Sequence, residues 1–236
     1  MLAFHVSLSG VRAGLDRLAV SANNVANVRT PGFRASRADQ ADLRGGGASV
    51  DSIRVLQNQG PIETDAGPFQ MAVVGDGFFR IGTPAGDRFT RAGTFQVDAQ
   101  GNLVTPDGYP LQPPIQVPAD ASSFHVAADG RVSANLADGT TQDLGRLDLA
   151  RFPNPGGLVQ EGDNLASAGP ASGNPVTGAP GSDGFGQILF GALEGSNVDL
   201  TTEIVGRIAD SFAVKANLKA IKAQDETLGD LLDLKG

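Results

Sequence analysis

The sequence predicts a mainly β protein with a helix at each end. Near both termini, apolar residues recur at gaps of three and four, a spacing typical of amphipathic helices. Between these ends, short apolar or β-branched runs are separated by small polar turns centred on glycine. The 32 glycines and 14 prolines among 236 residues favour short strands joined by tight turns over a stack of helices.

The first predicted helix carries a heptad stripe. Its apolar positions are Met1, Phe4, Leu8, Val11, Leu15, Leu18, Ala22 and Val25. This spacing is expected of a coiled-coil seam, although an ordinary amphipathic helix on a globular core would also show it. Gly10 and Gly14 lie one turn apart; each costs about 1 kcal/mol relative to alanine, but each would let a neighbouring backbone approach closely. The helix is therefore predicted to need partners.

The end of that helix is marked by asparagines and a turn. Asn23, Asn24 and Asn27 precede Pro31 and Gly32, which predict a helix stop followed by a sharp turn. Asparagine amides both donate and accept, so they can bridge closely packed helices or cap backbone groups. The segment is predicted to join an assembly helix to a β domain, and the alternative is a plain helix cap with no role between subunits.

A second helical pattern runs over residues 203–234. Its apolar residues in four-three spacing are Val214, Leu218, Ile221, Leu228 and Leu232. Val205, Ile208 and Phe212 follow a slightly different register, which predicts a break in the seam near Phe212. Asp225 falls in a polar slot of this pattern, where it either faces solvent or fixes the register.

The middle of the chain reads as strands and hairpins. Glycine-centred turns separate strand-like runs within residues 71–82, 87–97, 97–104, 126–133 and 134–141. Residues 151–186 are rich in Gly, Pro, Asn and Ser, a composition typical of a linker. An ordered irregular segment is the alternative, because Leu158, Val159, Leu165 and Val176 recur through it.

Composition argues against several classes of function. A net charge of −8 and a pI near 4.7 make a nucleic-acid partner unexpected. The absence of cysteine removes disulfides, thiolate metal sites and thiol nucleophiles. His5 and His125 fall in different predicted elements and give no metal-ligand spacing. We therefore expect no catalytic, metal-binding or cofactor-binding residues, no membrane insertion and no cleaved secretory signal. Two other functions stay open from residue types alone: a secreted cell-wall glycan hydrolase using two carboxylates, and an adhesion or ligand-binding module.

Five motifs, in order along the chain, resemble the bacterial flagellar basal-body rod and hook protein family. The first is ANNVAN at residues 22–27 followed by TPGF at 30–33, and the second is VGDGFF at 74–79. The third is FTRAGTF at 89–95, continued by residues 98–110, and the fourth is RFPNPGGL at 151–158 with GDNL at 162–165. The fifth is GALEGSNVDL at 191–200.

The resemblance implies a β-rich central domain flanked by N- and C-terminal helices that pair as a coiled coil. The implied domains are a helical core (1–30 and 200–236), an extended linker (31–70) and a β-rich outer domain (71–199). The resemblance also implies a structural axial subunit that polymerises helically into the torque-transmitting rod across the periplasm. The implied partners are further copies, other rod subunits, the hook protein, ring proteins and the type III export apparatus.

Within the family, the length favours a rod subunit, because hook proteins carry a further outer domain. The segments at 153–158 and 162–165 look most like the distal rod type, with a proximal rod or hook-type subunit as the alternative. One departure is Asp210, where the family often has an arginine; this puts in doubt any contact between subunits at that position. The residues expected to carry assembly are Leu8, Val11, Leu15, Leu18, Asn23, Asn24, Asn27, Pro31, Gly32, Phe33, Glu194, Ser196, Asn197, Val198, Phe212, Asn217, Leu218 and Ile221.

Overall fold

The computed structural model describes residues Leu2–Asp233, and these form two compact units. Unit 1 contains the chain up to Val28, residues 35–56 and the chain from Val198 onward. Unit 2 contains residues 29–34 and 57–197. The chain thus passes from one unit to the other four times, so each unit is built from segments that are distant in sequence.

Unit 1 consists of two long helices and a hairpin. Helix α1 spans Leu2–Ala26 and α2 spans Leu200–Asp233, and the hairpin pairs β1 (Ser36–Asp42) with β2 (Ala48–Val55) in antiparallel register. Asp199 caps α2, because its carboxylate accepts the backbone N–H groups of Thr201 (2.9 Å) and Thr202 (3.2 Å). These bonds, led by that from the Thr202 backbone, lower the pKa of Asp199. Helix α2 is continuous through Phe212. The break predicted there is a change in the register of the apolar residues, which a continuous helix allows.

The two helices run antiparallel and approach closely at glycine. A Cβ added to Gly14 would lie 2.4 Å from Cγ2 of Val214, and one added to Gly10 would lie 2.8 Å from Nδ2 of Asn217. A side chain at Gly14 would therefore collide with the stiff Val214, whereas one at Gly10 would require the Asn217 amide to rotate away. The hairpin contacts α1 as well, since the Ser9 hydroxyl accepts the backbone N–H of Ala48 at 3.1 Å.

Unit 2 is made of short strands. In chain order they are β3 (Ile62–Thr64), β4 (Met71–Val74), β5 (Phe78–Thr83), β6 (Gly86–Thr90), β7 (Gln96–Val97), β8 (Leu103–Val104), β9 (Leu111–Gln112), β10 (Ala121–Val126), β11 (Arg131–Leu136), β12 (Thr141–Arg146), β13 (Leu149–Arg151), β14 (Val159–Gly162), β15 (Leu165–Ser167), β16 (Val176–Gly178), β17 (Gln187–Phe190) and β18 (Ala192–Glu194). A single 3₁₀ turn covers Pro155–Gly157.

The strands form one larger sheet and several small ones. The larger sheet has the order β14-β15-β6-β5-β13-β16, with β9 also paired to β5. A three-stranded meander, β10-β11-β12, is built on the two Asp-Gly turns that the sequence predicts as hairpins. Antiparallel pairs β17-β4, β18-β3 and β7-β8 complete the unit. The mainly β middle between two helices is therefore confirmed.

Two apolar clusters form the core of unit 2. The main one includes Met71, Phe79, Ile81, Leu111 and Leu149, all nearly inaccessible to solvent. A second one packs Phe89 against Phe152 edge-to-face at 4.7 Å, with Phe78, Ala150, Leu158 and Ala166 around them. Residues 151–186, linker-like in composition, supply β14, β15 and β16 and bury Leu158 and Leu165, so this segment is ordered.

Candidate functional site

The most exposed apolar surface of α2 is a stripe of four large side chains. Ile204, Val205, Ile208 and Phe212 are 46%, 62%, 53% and 68% exposed, and we name them the α2 apolar stripe. At 100° per residue, Ile208 and Phe212 lie about 160° around the helix from Asp210, which faces α1. Side chains of this size are expected to be covered by another surface. The stripe therefore points away from the intrachain pair.

Helix α1 carries a related surface, the predicted heptad stripe. Leu15 is 52% exposed and Phe4 is also exposed, whereas Leu8 and Leu18 are half-buried and Val11 is buried. The face of α1 that meets α2 lies beside this stripe and carries Gly10, Gly14, Arg17, Ser21 and Asn24.

The contacts across the two helices are small or polar. Arg17 forms an ion pair with Asp210 at 2.7 Å, and Ser21 donates to the Glu203 carboxylate at 2.5 Å. Asn24 donates to the same carboxylate at 2.7 Å. Pairing of the chain's own helices as a coiled coil through the predicted stripes is therefore not confirmed, because α1 meets α2 through glycines and polar groups, and Val214 of α2 packs against Gly14. Asp210, the departure from the family pattern, has its partner within the chain.

Of the three asparagines, Asn24 is the one the structure buries. It is 1% exposed, and its amide donates to the Ser36 carbonyl at 2.8 Å while its oxygen accepts the Ser36 N–H at 2.8 Å. The Asn24 amide thus pairs with the backbone N–H and C=O of Ser36, the first residue of β1, as the backbone of a neighbouring strand would. It also binds Glu203. Asn23 is exposed, and the Asn27 side chain donates to the Asn23 carbonyl at 3.0 Å. Asn24 therefore joins α1, β1 and α2 inside unit 1.

Replacing Asn24 tests this role. Asn24→Ala should lower the free energy of unfolding by about 2–4 kcal/mol, because it leaves both backbone groups of Ser36 and one Glu203 oxygen without their buried partner. Chemical denaturation of the full chain, followed by circular dichroism of the helices, measures the loss. Asn23→Ala, one exposed position away, should change the unfolding free energy by less than about 0.5 kcal/mol. Equal effects at both positions would contradict the bridging role.

The turn and the fifth motif come together inside unit 2. Gly32 donates its N–H to the Glu194 carbonyl at 2.6 Å, and Asn197 donates its own to the Phe33 carbonyl at 3.3 Å. The Pro31 carbonyl accepts the Asn164 amide at 3.3 Å. Glu194 and Ser196 are buried, whereas Val198 begins the last segment of unit 1. Glu194 is 1% exposed, so the contacts of its carboxylate lie within unit 2.

The remaining predicted assembly residues lie on two sides of α2. Phe212 and Leu218 are exposed, whereas Asn217 and Ile221 are half-buried on the side facing α1. Sequence reasoning missed Glu203, which binds the predicted Asn24, and Ser21, which binds Glu203. It also missed Arg34 and Arg91, which bind the predicted Glu194. A signal for Ser21 was present: together with Gly10, Gly14, Arg17 and Asn24 it repeats at gaps of four, three, four and three.

Over residues 2–233, the structure contains no grouping of three His, Asp or Glu side chains suited to a metal ion. Within the same part of the chain, no helix is both long and apolar enough to cross a membrane.

Comparison with known proteins places the chain in a family. Residues 72–134 match the flagellar hook protein FlgE/F/G D1 domain, and residues 191–234 match the flagellar basal body rod FlgEFG protein C-terminal region. The chain is 36% identical to flagellar basal-body rod protein FlgG of Agrobacterium fabrum, covering 96% of each chain. It is also 36% identical to FlgG of Bacillus subtilis, covering 97% of each. Flagellar hook protein FlgE of Escherichia coli is 42% identical over 118 residues, which are 50% of this chain and 29% of FlgE. The chain therefore belongs to the family of flagellar rod and hook proteins, which are structural axial proteins and not enzymes.

Proposed function

We propose that this chain is the distal rod subunit of a bacterial flagellum and polymerises helically into the drive shaft of the basal body. The identity to FlgG rod proteins extends over nearly the whole chain, which supports a rod subunit. The match to FlgE spans only 29% of that hook protein, which favours a rod over a hook-type subunit. A proximal rod subunit is the alternative that the experiment below separates.

The observation that carries the proposal is the exposed α2 apolar stripe. Burying a side chain of the size of Ile or Phe stabilises an association by about 1.5–3 kcal/mol. Four such residues in one stripe therefore hold most of the free energy that a moderately tight contact needs. The intrachain seam leaves this stripe uncovered, because α1 binds a different face of α2, which carries Glu203, Asp210 and Val214.

In the proposed rod, the apolar stripes of both helices form coiled-coil seams with other copies. The polar intrachain seam fixes which helices pair within one subunit, and the apolar stripes add stability only when neighbours are present. Such coupling between association and ordering suits a subunit that is assembled after export.

The proposal includes further partners and a location. The helices line the inner core of a tube that crosses the periplasm, and the β-rich unit forms its outer layer, where it meets ring proteins. Subunits pass through the flagellar type III export apparatus, and the finished tube transmits torque to the hook and filament. The family resemblance supports each of these statements.

A deletion strain tests the assignment directly. Electron microscopy of its basal bodies should show a rod that stops short of the hook junction, and the wild-type gene supplied in trans should restore full length. A rod missing altogether would place the subunit at the proximal end. Rods of normal length and normal swimming in the deletion strain would show that the chain is not a rod component.

A further inference from the structure

The four connections between the units leave unit 2 within a few residues of one hydrogen-bonded network. Segment 29–34 carries two of them at its ends, and Gln57 and Asn197 carry the other two. Gly32 and Phe33 bind Glu194 and Asn197 through their backbones, and the Asn197 amide donates to the Asn58 carbonyl at 2.8 Å. All of these atoms belong to unit 2.

Glu194 lies at the centre of this network. Its side chain is 1% exposed and forms ion pairs with Arg34 at 2.8 Å and Arg91 at 3.3 Å. One carboxylate oxygen also accepts the backbone N–H of Gly60 at 3.2 Å, and the other accepts the Gln59 amide at 3.4 Å. The carboxylate thus binds three parts of the chain at the same time: segment 29–34, segment 57–60, and Arg91, which directly follows β6.

The two arginines extend the network to backbone carbonyls. Arg34 donates to the carbonyls of Gln57 and Asn58, at the start of the second crossing segment. Arg91 donates to the Val73 carbonyl at 3.2 Å and the Gly75 carbonyl at 2.7 Å. Burial lowers the pKa of Arg91 to about 10, and Glu194 opposes that shift, so both guanidinium groups stay charged at neutral pH.

The network is costly for a purely stabilising core. Two cations and one anion are buried together, and within the described residues neither Arg34 Nε nor Arg91 Nε has a hydrogen-bond acceptor. A well-packed apolar cluster of similar volume would often be equally or more stable. What the charges add is a fixed position for several chain segments at once.

We propose that Glu194, with Arg34 and Arg91, forms a clamp that positions all four inter-unit connections in unit 2, so that force passing along the chain enters the β unit at one rigid point. Glu194 is a positioning residue here. The mechanical part rests on the proposed rod function, whereas the clamp itself is a property of the free subunit. The clamp therefore needs a test that does not depend on assembly.

Hydrogen exchange on the full-length chain provides that test. In Glu194→Gln, the amides of Gly32, Gly60 and Asn197 should exchange at least tenfold faster than in wild type, because their segments lose the common anchor. The exchange rates of amides in β5 and β13, in the main core, should stay within twofold of the wild-type rates. Glu161→Gln is the matched control, since Glu161 is an exposed carboxylate with a single arginine partner, Arg88, and it should change neither set. If Glu194→Gln fails to fold, Arg91→Lys replaces it, since lysine keeps the charge but not the paired N–H donors of the guanidinium group. This variant should show a smaller increase in exchange rate at the same three amides.

Swimming against viscous load tests the mechanical part. Cells carrying Glu194→Gln should lose speed or shed hooks in viscous medium more than cells carrying Glu161→Gln. Uniform acceleration of exchange across unit 2, or no change at the three amides, would overturn the clamp. If Glu194→Gln cells swim in viscous medium as wild type does, although the three amides exchange faster, the mechanical role is overturned. These two outcomes differ from failure of the proposed function. In that case a strain lacking the gene would still form normal rods.

Discussion

Cells carrying Ile208→Asp together with Phe212→Asp should build no functional rod, although the purified variant remains a folded monomer. Both side chains are more than half exposed in the free chain, so the substitutions remove little intrachain packing. In the assembled state each loses the burial of only its exposed part, about 1–2 kcal/mol, before the cost of desolvating a carboxylate is added. Each contact between subunits should therefore weaken by roughly 10²–10⁴-fold. Motility in soft agar and electron microscopy of basal bodies measure the effect, and circular dichroism confirms the monomer's fold.

A matched variant separates loss of the stripe from added charge. Ala209→Asp with Ala213→Asp introduces the same two charges at the same spacing of four, at exposed positions of α2 that lie about 100° around the helix from Ile208 and Phe212. This control should assemble and support swimming close to wild type. Equal loss of motility in both variants would mean that α2 tolerates no added charge anywhere, and the assembly role of the stripe would lose its support. Normal rods in the Ile208→Asp, Phe212→Asp variant would contradict that role directly.

Periodicity predicted the elements but not the face through which the helices pair. Alternating gaps of three and four located α1 and α2, and Asp-Gly turns located the β10-β11-β12 meander, because both signals are local. A hydrophobic pattern shows which face of a helix is to be covered, but not by what. In this chain the face of α2 with Glu203 and Val214 meets α1, and the α2 apolar stripe stays exposed. The sequence alone could not separate contacts within the chain from contacts between copies.

The buried charges of unit 2 show a second limit. Arg34, Arg91 and Glu194 are separated by 57 and 103 residues. Arg91 and Glu194 lie in motifs that carry the family resemblance, and Arg34 directly follows another. Their meeting depends on β18 pairing with β3 and on the course of residues 29–34, neither of which leaves a local signature. Asn24 was easier to select, because a cluster of asparagines at a helix end is unusual in itself. Asn24, and not Asn23 or Asn27, is the buried one because of how α1 is rotated about its axis relative to β1.

The second large effect is expected at Gly32. Its φ is +69°, and a Cβ there would lie 2.4 Å from the Ala92 nitrogen and 2.5 Å from the Arg91 carbonyl carbon. Because both atoms belong to backbone, no side-chain rotation relieves the overlap. Gly32→Ala should therefore lower the free energy of unfolding by about 3–5 kcal/mol. For a chain of this size, that corresponds to a fall in Tm of roughly 6 °C or more, measurable by calorimetry.

Gly191→Ala separates the overlap from the backbone conformation. Gly191 has a nearly identical φ of +70°, but no atom lies within 4 Å of a Cβ placed there. Alanine at Gly191 should cost only the left-handed backbone penalty of about 1–2 kcal/mol. The difference between the two variants then measures how closely the turn after α1 packs on the backbone at residues 91–92. Equal destabilisation in both variants would show that this close approach is absent, and that Gly32 serves only its own turn.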